Sequence, residues 1–248
     1  MSTFLSKKKS EDSGENPSLL ERRAFMRTAG VVSASSVVLL SGCQQYIDQL
    51  LGGDSGGVIK KIIRLGSGDT GVLNYAYALE QLEAAFYTKV VESTSFTSLF
   101  DEIEQDFLKD IKAHEVVHRE FFKAALGKDA IPQLQFNFST VNFNNKLSIL
   151  TTASTFEDLG VAAYNGAGKL ISNKEYLALA GKIVSVEARH AALLREAVDY
   201  TKYNPDPTSF AGRDIIDQNG LDVALSPTQV LPKVAPYIAF HLDGSSLM

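Results

Sequence analysis

The sequence predicts an all-α protein, built as an antiparallel four-helix bundle with one long crossover between its second and third helices. Apolar residues recur at intervals of three and four in four separate segments, which is the pattern of an amphipathic helix. The links between these segments are short, long and short. Short links join antiparallel neighbours, whereas a long link can run the length of a bundle.

Capping residues mark the ends of the predicted helices. Ser98 and Asp101 resemble a capping box that opens the second helix. Gly127 is a typical stop at its C-terminal end, and Asn173 can cap the fourth helix. The stretch 128–145 contains a proline and ends rich in asparagine, so it is predicted to be the crossover. The four helices are predicted at 70–91, 98–127, 146–171 and 174–200.

A further short helix is predicted near the C-terminus. Ser226 can cap it, Pro227 suits the first helical position, and Gln229 completes a capping box. Pro232 limits its length, because proline lacks the backbone N–H that a helix interior needs. We expect this segment to wrap against the bundle.

The first residues are predicted to be an export signal. Arg22 and Arg23 precede an apolar run at 31–40, as in a twin-arginine signal. The sequence LSGC that ends at Cys43 resembles a lipobox, in which the cysteine is acylated. The alternative is an uncleaved apolar helix with a buried cysteine. The predicted parts of the chain are the signal 1–43, a flexible tether 44–68, the bundle 69–200 and the C-terminal wrap 201–248.

The charge balance excludes one class of partner. The chain carries a formal net charge of −5, and the signal segment contributes more bases than acids. The remaining part is therefore more acidic still. Proteins that bind nucleic acids need lysine and arginine to neutralise phosphates, so nucleic-acid binding is not expected.

Each predicted helix carries ionisable residues in the middle of an otherwise apolar stripe. Buried carboxylates are costly unless they are paired or protonated, and four that face each other repel. A pair of divalent cations resolves this repulsion, and histidine adds a neutral nitrogen ligand. The alternative is a solvated face with ordinary helix salt bridges. The predicted metal ligands are Glu80, Glu115, His118, Glu157, Glu187 and His190.

Several segments resemble bacterial ferritin-like domain proteins, which are relatives of bacterioferritin, rubrerythrin and the plant desiccation-related proteins. LNYAYALEQLEAAFY is similar to the first helix of the family and FEDLGVAAYNGA to the third, beside two Glu-x-x-His helices. LDVALSPTQVLPKVAPYI resembles the tail of a lipoprotein-type branch. The resemblance implies that Glu115 and Glu157, or their equivalents, bridge or chelate, and that His118 and His190 cap one metal each.

Five further residues have roles that the sequence leaves open or places elsewhere. Glu83 is either an additional ligand or a partly exposed acid at the edge of the bundle. Tyr87 and Tyr164 can hydrogen-bond a ligand or carry an electron, although core packing is the more common role of such tyrosines. His114 is expected at the surface, and His241 is not expected to be a ligand.

The predicted cofactor is a dinuclear centre of two iron or two manganese ions. Such a centre suits Fe(II) oxidation or the removal of peroxide, in a ferroxidase-, peroxidase- or catalase-like reaction. The expected location is the periplasm or cell envelope, with a lipid on Cys43 as the membrane anchor. The alternatives are a metal-binding lipoprotein without turnover and a structural envelope lipoprotein. The sequence leaves the choice of metal and the oligomeric state open.

Overall fold

A computed structural model describes residues 61–202 and 209–247. The predicted export signal with Cys43, and most of the predicted tether, lie outside the described residues. The described elements, in chain order, are β1 (Ile62–Arg64), α1 (Gly68–Val91), α2 (Phe96–Leu99), α3 (Glu102–Leu126), α4 (Lys146–Gly168), α5 (Lys174–Lys202), α6 (Pro227–Val234) and β2 (His241–Asp243).

The four long helices α1, α3, α4 and α5 form the predicted bundle. Helix α1 packs most extensively against α3, and α4 packs most extensively against α5, while α1 also contacts α4. The predicted all-α class is confirmed. None of the helices within the described residues combines the length and apolar character that crossing a bilayer requires.

The predicted start of the second bundle helix was wrong by one turn. Asp101, not Ser98, caps α3: the Asp101 carboxylate accepts the backbone N–H of Glu104, and Glu104 accepts that of Asp101, both at 2.9 Å. Ser98 belongs to the separate helix α2. The two helices are separate because Phe100 is extended and buries its ring in the core.

The crossover follows α1 along its outer face. The buried side chains of Asn74 and Gln81 lie two helical turns apart and bind its backbone. Asn74 Oδ1 accepts the N–H of Ile131 and Gln81 Oε1 accepts the N–H of Leu134, each at 2.8 Å. The buried backbone groups of this non-helical segment are thereby hydrogen-bonded. Helix α1 is consequently buried on all sides along most of its length.

The C-terminal segment returns to the start of the described chain. Helix α6 begins as predicted, since Gln229 Oε1 accepts the N–H of Ser226 at 2.9 Å. Strand β2 then pairs in parallel with β1. The predicted tether extended to residue 68, but Ile62 to Arg64 form this strand and Leu65 is fully buried. Pairing with β2, which lies far away in the sequence, gives these residues their structure.

The tail crosses α4 at one close contact. Leu225 donates its backbone N–H to the carbonyl of Ala162 at 2.9 Å. A Cβ atom on Gly166 would lie only 1.9 Å from the carbonyl oxygen of Leu225. Glycine at this position therefore lets the tail backbone lie directly on the helix.

Replacing Gly166 with alanine is expected to destabilise the fold by about 1–3 kcal/mol, because the added methyl group collides with backbone. The matched control is Gly181→Ala in α5, where nothing lies within 4 Å of the added Cβ. That change should stabilise the fold by about 0.5–1 kcal/mol, since alanine is the better helix former. Urea unfolding measures both free energies, and equal effects of the two substitutions would contradict the close crossing.

Candidate metal centre

The six predicted ligands lie together in two overlapping groups at the middle of the bundle. Within each group every residue offers one oxygen or nitrogen atom, and these atoms all lie within 4.8 Å of one another. One group is Glu80, Glu115, His118 and Glu187, and the other is Glu115, Glu157, Glu187 and His190. Helices α3 and α5 each contribute a shared glutamate, while α1 and α4 each contribute a glutamate to one group.

The helical period explains why these side chains converge. In each Glu-x-x-His motif the two residues are three apart, so both lie on one face of their helix. The four glutamates of the groups are completely buried, and His118 and His190 are 9% and 5% exposed. The alternative of a solvated charged face is therefore inconsistent with the structure. That these residues bind metal stays a prediction.

Both histidines direct Nδ1 at the carboxylates. His118 Nδ1 lies 2.8 Å from Glu187 Oε1 and 3.4 Å from Glu80 Oε2. His190 Nδ1 lies 3.0 Å from Glu115 Oε1 and 3.3 Å from Glu157 Oε2. Each histidine nitrogen is thus surrounded by carboxylate oxygens from other helices.

The donor atoms suit divalent cations. Eight donor atoms of the cluster are buried without a well-formed hydrogen bond in the described structure. They are both oxygens of Glu115 and of Glu187, one oxygen each of Glu80 and Glu157, and Nδ1 of both histidines. Buried polar atoms normally have partners, so a convergent set without them needs an explanation. Carboxylate oxygens with imidazole nitrogens are ligands for iron, manganese and similar ions. The residues present therefore fit a metal centre.

In the absence of a metal, the electrostatics of the cluster favour protonated forms of two carboxyl groups and of both imidazole rings. Burial and the charge of Glu187 raise the pKa of Glu80 well above its usual value, and burial with the charge of Glu115 does the same for Glu157. Burial alone would raise the pKa of Glu187, but the close imidazole rings of His118 and His190 hold it at about 2.

The pKa values of the two histidines are raised as well, which favours their positively charged forms. Burial lowers the pKa of His118, but the close carboxylates of Glu115, Glu187 and Glu80 outweigh burial and raise it to about 12. The pKa of His190 is raised to about 12 in the same way. In the metal-free cluster both imidazole rings are therefore expected to carry a positive charge. In a metal centre the metal ions would supply that positive charge instead.

Glu80 and Glu157 each belong to only one of the two ligand groups, and each accepts a hydrogen bond from a tyrosine. Tyr87 donates its hydroxyl proton to Glu157 Oε1 at 2.6 Å, and Tyr164 donates to Glu80 Oε1. Tyr87 is fully buried and Tyr164 partly buried, so both are also packing residues. The bonds fix one oxygen of each carboxylate and leave the other directed at a histidine.

Glu83 lies in the core, which excludes one of its two possible roles, that of a partly exposed acid at the bundle edge. Its side chain is 3% exposed and belongs to neither ligand group. Its oxygen lies over Gly160, where an added Cβ would be 3.1 Å away. Burial and the charges of Glu115 and Glu157 raise its pKa well above the usual value. Glu83 is therefore a buried neighbour of the cluster whose uncharged form is favoured.

The contact that His114 makes with His190 was not predicted. The residue is solvent-exposed, as expected, but its Nδ1 lies 2.9 Å from Nε2 of His190. No motif in the sequence marks this contact, because it joins residues 76 positions apart on α3 and α5. His241 lies exposed in β2 and is not among the clustered residues.

A long-helix bundle with a buried cluster of glutamates and histidines defines a class of protein, the ferritin-like bundles. The sequence profile described as the ferritin-like domain matches residues 68–199, just over half of the chain. The chain therefore belongs to the ferritin-like domain family. Among curated proteins, none matches the sequence. The resemblance to particular relatives stays a prediction.

The metal-free protein is expected to lose stability as the pH rises above 6.5. His118 and His190 have pKa values raised from 6.5 to about 12, so their contribution is complete below pH 6.5 and declines toward pH 12. The raised carboxyl pKa values of Glu80 and Glu157 act in the same direction, because the fold favours their protonated forms.

Melting temperature against pH measures this effect in the presence of a chelator and again with excess Mn²⁺. The cation should remove most of the decline, because it replaces the protons that the cluster loses. A melting temperature that rises with pH in chelator, or a decline that Mn²⁺ leaves unchanged, would contradict the assignment of the cluster.

Proposed function

We propose that this protein binds a dinuclear iron or manganese centre and uses it to oxidise Fe(II) or to remove peroxide. The observation that carries the proposal is the pair of overlapping ligand groups, each with one histidine and three glutamates. Two glutamates shared by two groups suit a pair of neighbouring cations. Four carboxylates with neutral histidines also balance the charge of two divalent ions.

The chain provides the surroundings for such a centre. Full burial of the four glutamates excludes bulk water from the ligands. The hydroxyl groups of Tyr87 and Tyr164 hold Glu157 and Glu80 in place. When bound, iron or manganese supplies one-electron redox chemistry and a place for oxygen or peroxide.

A small apolar pocket beside Tyr164 supports the proposed reaction of Fe(II) with dioxygen. A pocket between α1, α3, α4 and α5 is lined almost entirely by apolar side chains, among them Leu79, Phe122 and Ala163. Tyr164, which hydrogen-bonds Glu80, also lines it. An apolar lining of this kind favours dioxygen over ions and water.

The metal-binding part of the proposal is tested by the stoichiometry of the purified chain. We expect two equivalents of Fe(II) or Mn²⁺ per chain, measured by elemental analysis after chelation and reloading. The double substitution Glu115→Ala, His118→Ala should weaken binding by at least about 100-fold, because it removes a shared ligand and a histidine. Glu120→Ala, an exposed glutamate on the same helix, is the matched control. Unchanged binding in the double variant would refute the site.

Turnover is tested separately. Oxygen uptake on addition of Fe(II), or catalytic loss of hydrogen peroxide with the iron- or manganese-loaded protein, is expected for the wild-type chain and not for the double variant. A protein that binds two equivalents and consumes neither oxidant is instead a metal-binding protein without turnover, and the redox part of the proposal is then wrong.

We propose further that the protein is exported and anchored to a membrane by a lipid on Cys43. Support comes from the sequence alone: the arginine pair, the apolar run and the lipobox-like segment occur in the order of a lipoprotein signal. Cys43→Ser should abolish labelling by a fatty acid and move the protein from the membrane fraction to the soluble fraction. Ser36→Ala is the control, and membrane association that survives Cys43→Ser would contradict lipid anchoring.

A further inference from the structure

The two histidines of the cluster are held differently on their outer side. Nε2 of His190 lies 2.9 Å from Nδ1 of His114, which reaches across from α3. No hydrogen bond to Nε2 of His118 is formed within the described part of the chain. Within the described residues, the outer nitrogen of His190 therefore has a hydrogen-bond partner, and the outer nitrogen of His118 has none.

The contact between His114 and His190 has the geometry of an in-plane hydrogen bond. The two ring planes differ by only 7° and the ring centroids are 5.1 Å apart. The centroid distance exceeds the distance between the bonded nitrogens by about two ring radii, so the rings lie edge to edge. The bonded proton therefore lies close to the N–N line, as a strong hydrogen bond requires.

The direction of this bond follows from the other nitrogen. Nδ1 of His190 faces Glu115 and Glu157 and must offer a lone pair to any cation held there. The ring proton of a neutral His190 must then be on Nε2, which donates it to Nδ1 of His114. A hydrogen bond to the outer nitrogen of a ligating histidine fixes its tautomer and orientation and makes it a better ligand.

We propose that His114 is a positioning residue for His190, and that it makes the two cation positions unequal. The position formed by Glu115, Glu157, Glu187 and His190 binds a divalent cation more tightly than the position that contains His118. This inference rests on the proposed dinuclear centre and adds the order in which its two positions fill.

Stepwise titration of the full-length, chelator-treated protein with Co²⁺ tests the inference, with a competing chromophoric chelator to measure affinity. The wild-type chain should show two binding steps, of which His190→Ala abolishes the tighter and His118→Ala the weaker. His114→Ala should weaken the tighter step alone by about 10–100-fold. His114→Asn should restore most of the loss, because its carbonyl oxygen can accept the same proton.

Nitrogen-15 NMR of the Zn²⁺-loaded protein provides a readout that a merely structural role of His114 would not move. In the wild type the Nε2 proton of His190 should be visible and slow to exchange with water. In His114→Ala it should exchange too fast to be seen, whereas His241→Ala, a control outside the cluster, should leave it unchanged.

The outcomes separate the two proposals. A wild-type chain that binds no Co²⁺ refutes the metal centre and the inference with it. Two binding steps that His114→Ala leaves unchanged, or a loss confined to the step that needs His118, refute the positioning role and leave the metal centre intact.

Discussion

Repulsion among four glutamate carboxylates in one buried space is the constraint on which the rest of this structure depends. Glu80, Glu115, Glu157 and Glu187 come from four different helices and are all inaccessible to solvent. Each ionised carboxylate loses several kcal/mol of hydration on such burial unless opposite charge compensates it. Protons on the two histidines and on some carboxylates can compensate it without a metal, and two divalent cations would compensate it through direct ligation.

The burial of helix α1 shows how the fold shields this cluster from solvent. A helix at the edge of a simple bundle exposes one face, yet α1 is buried on every side along most of its length. The crossover, held by Asn74 and Gln81, covers its outer face. The long link that defines the topology thus has a second role, because it shields the helix that carries Glu80 and Tyr87 from solvent.

Structural elements that depend on interactions between residues close in the sequence were predicted correctly. Elements that depend on contacts between distant residues were not. The bundle helices and the cap at Ser226 follow from period and capping chemistry, which act over a few residues. The start of the second bundle helix was mispredicted because Ser98 and Asp101 are both suitable N-cap residues. The burial of Phe100 decided between them. The strand at Ile62 to Arg64 was missed because its partner strand lies near the other end of the chain.

The sequence by itself determined that each bundle helix would present acidic or histidine side chains at the middle of an apolar face, because residues three and four apart share a face of a helix. Only the tertiary structure decided which side chains meet across the bundle. The sharing of Glu115 and Glu187 and the contact of His114 with His190 depend on how α3 and α5 are rotated and spaced. Packing of the whole core sets that arrangement, and no local pattern encodes it.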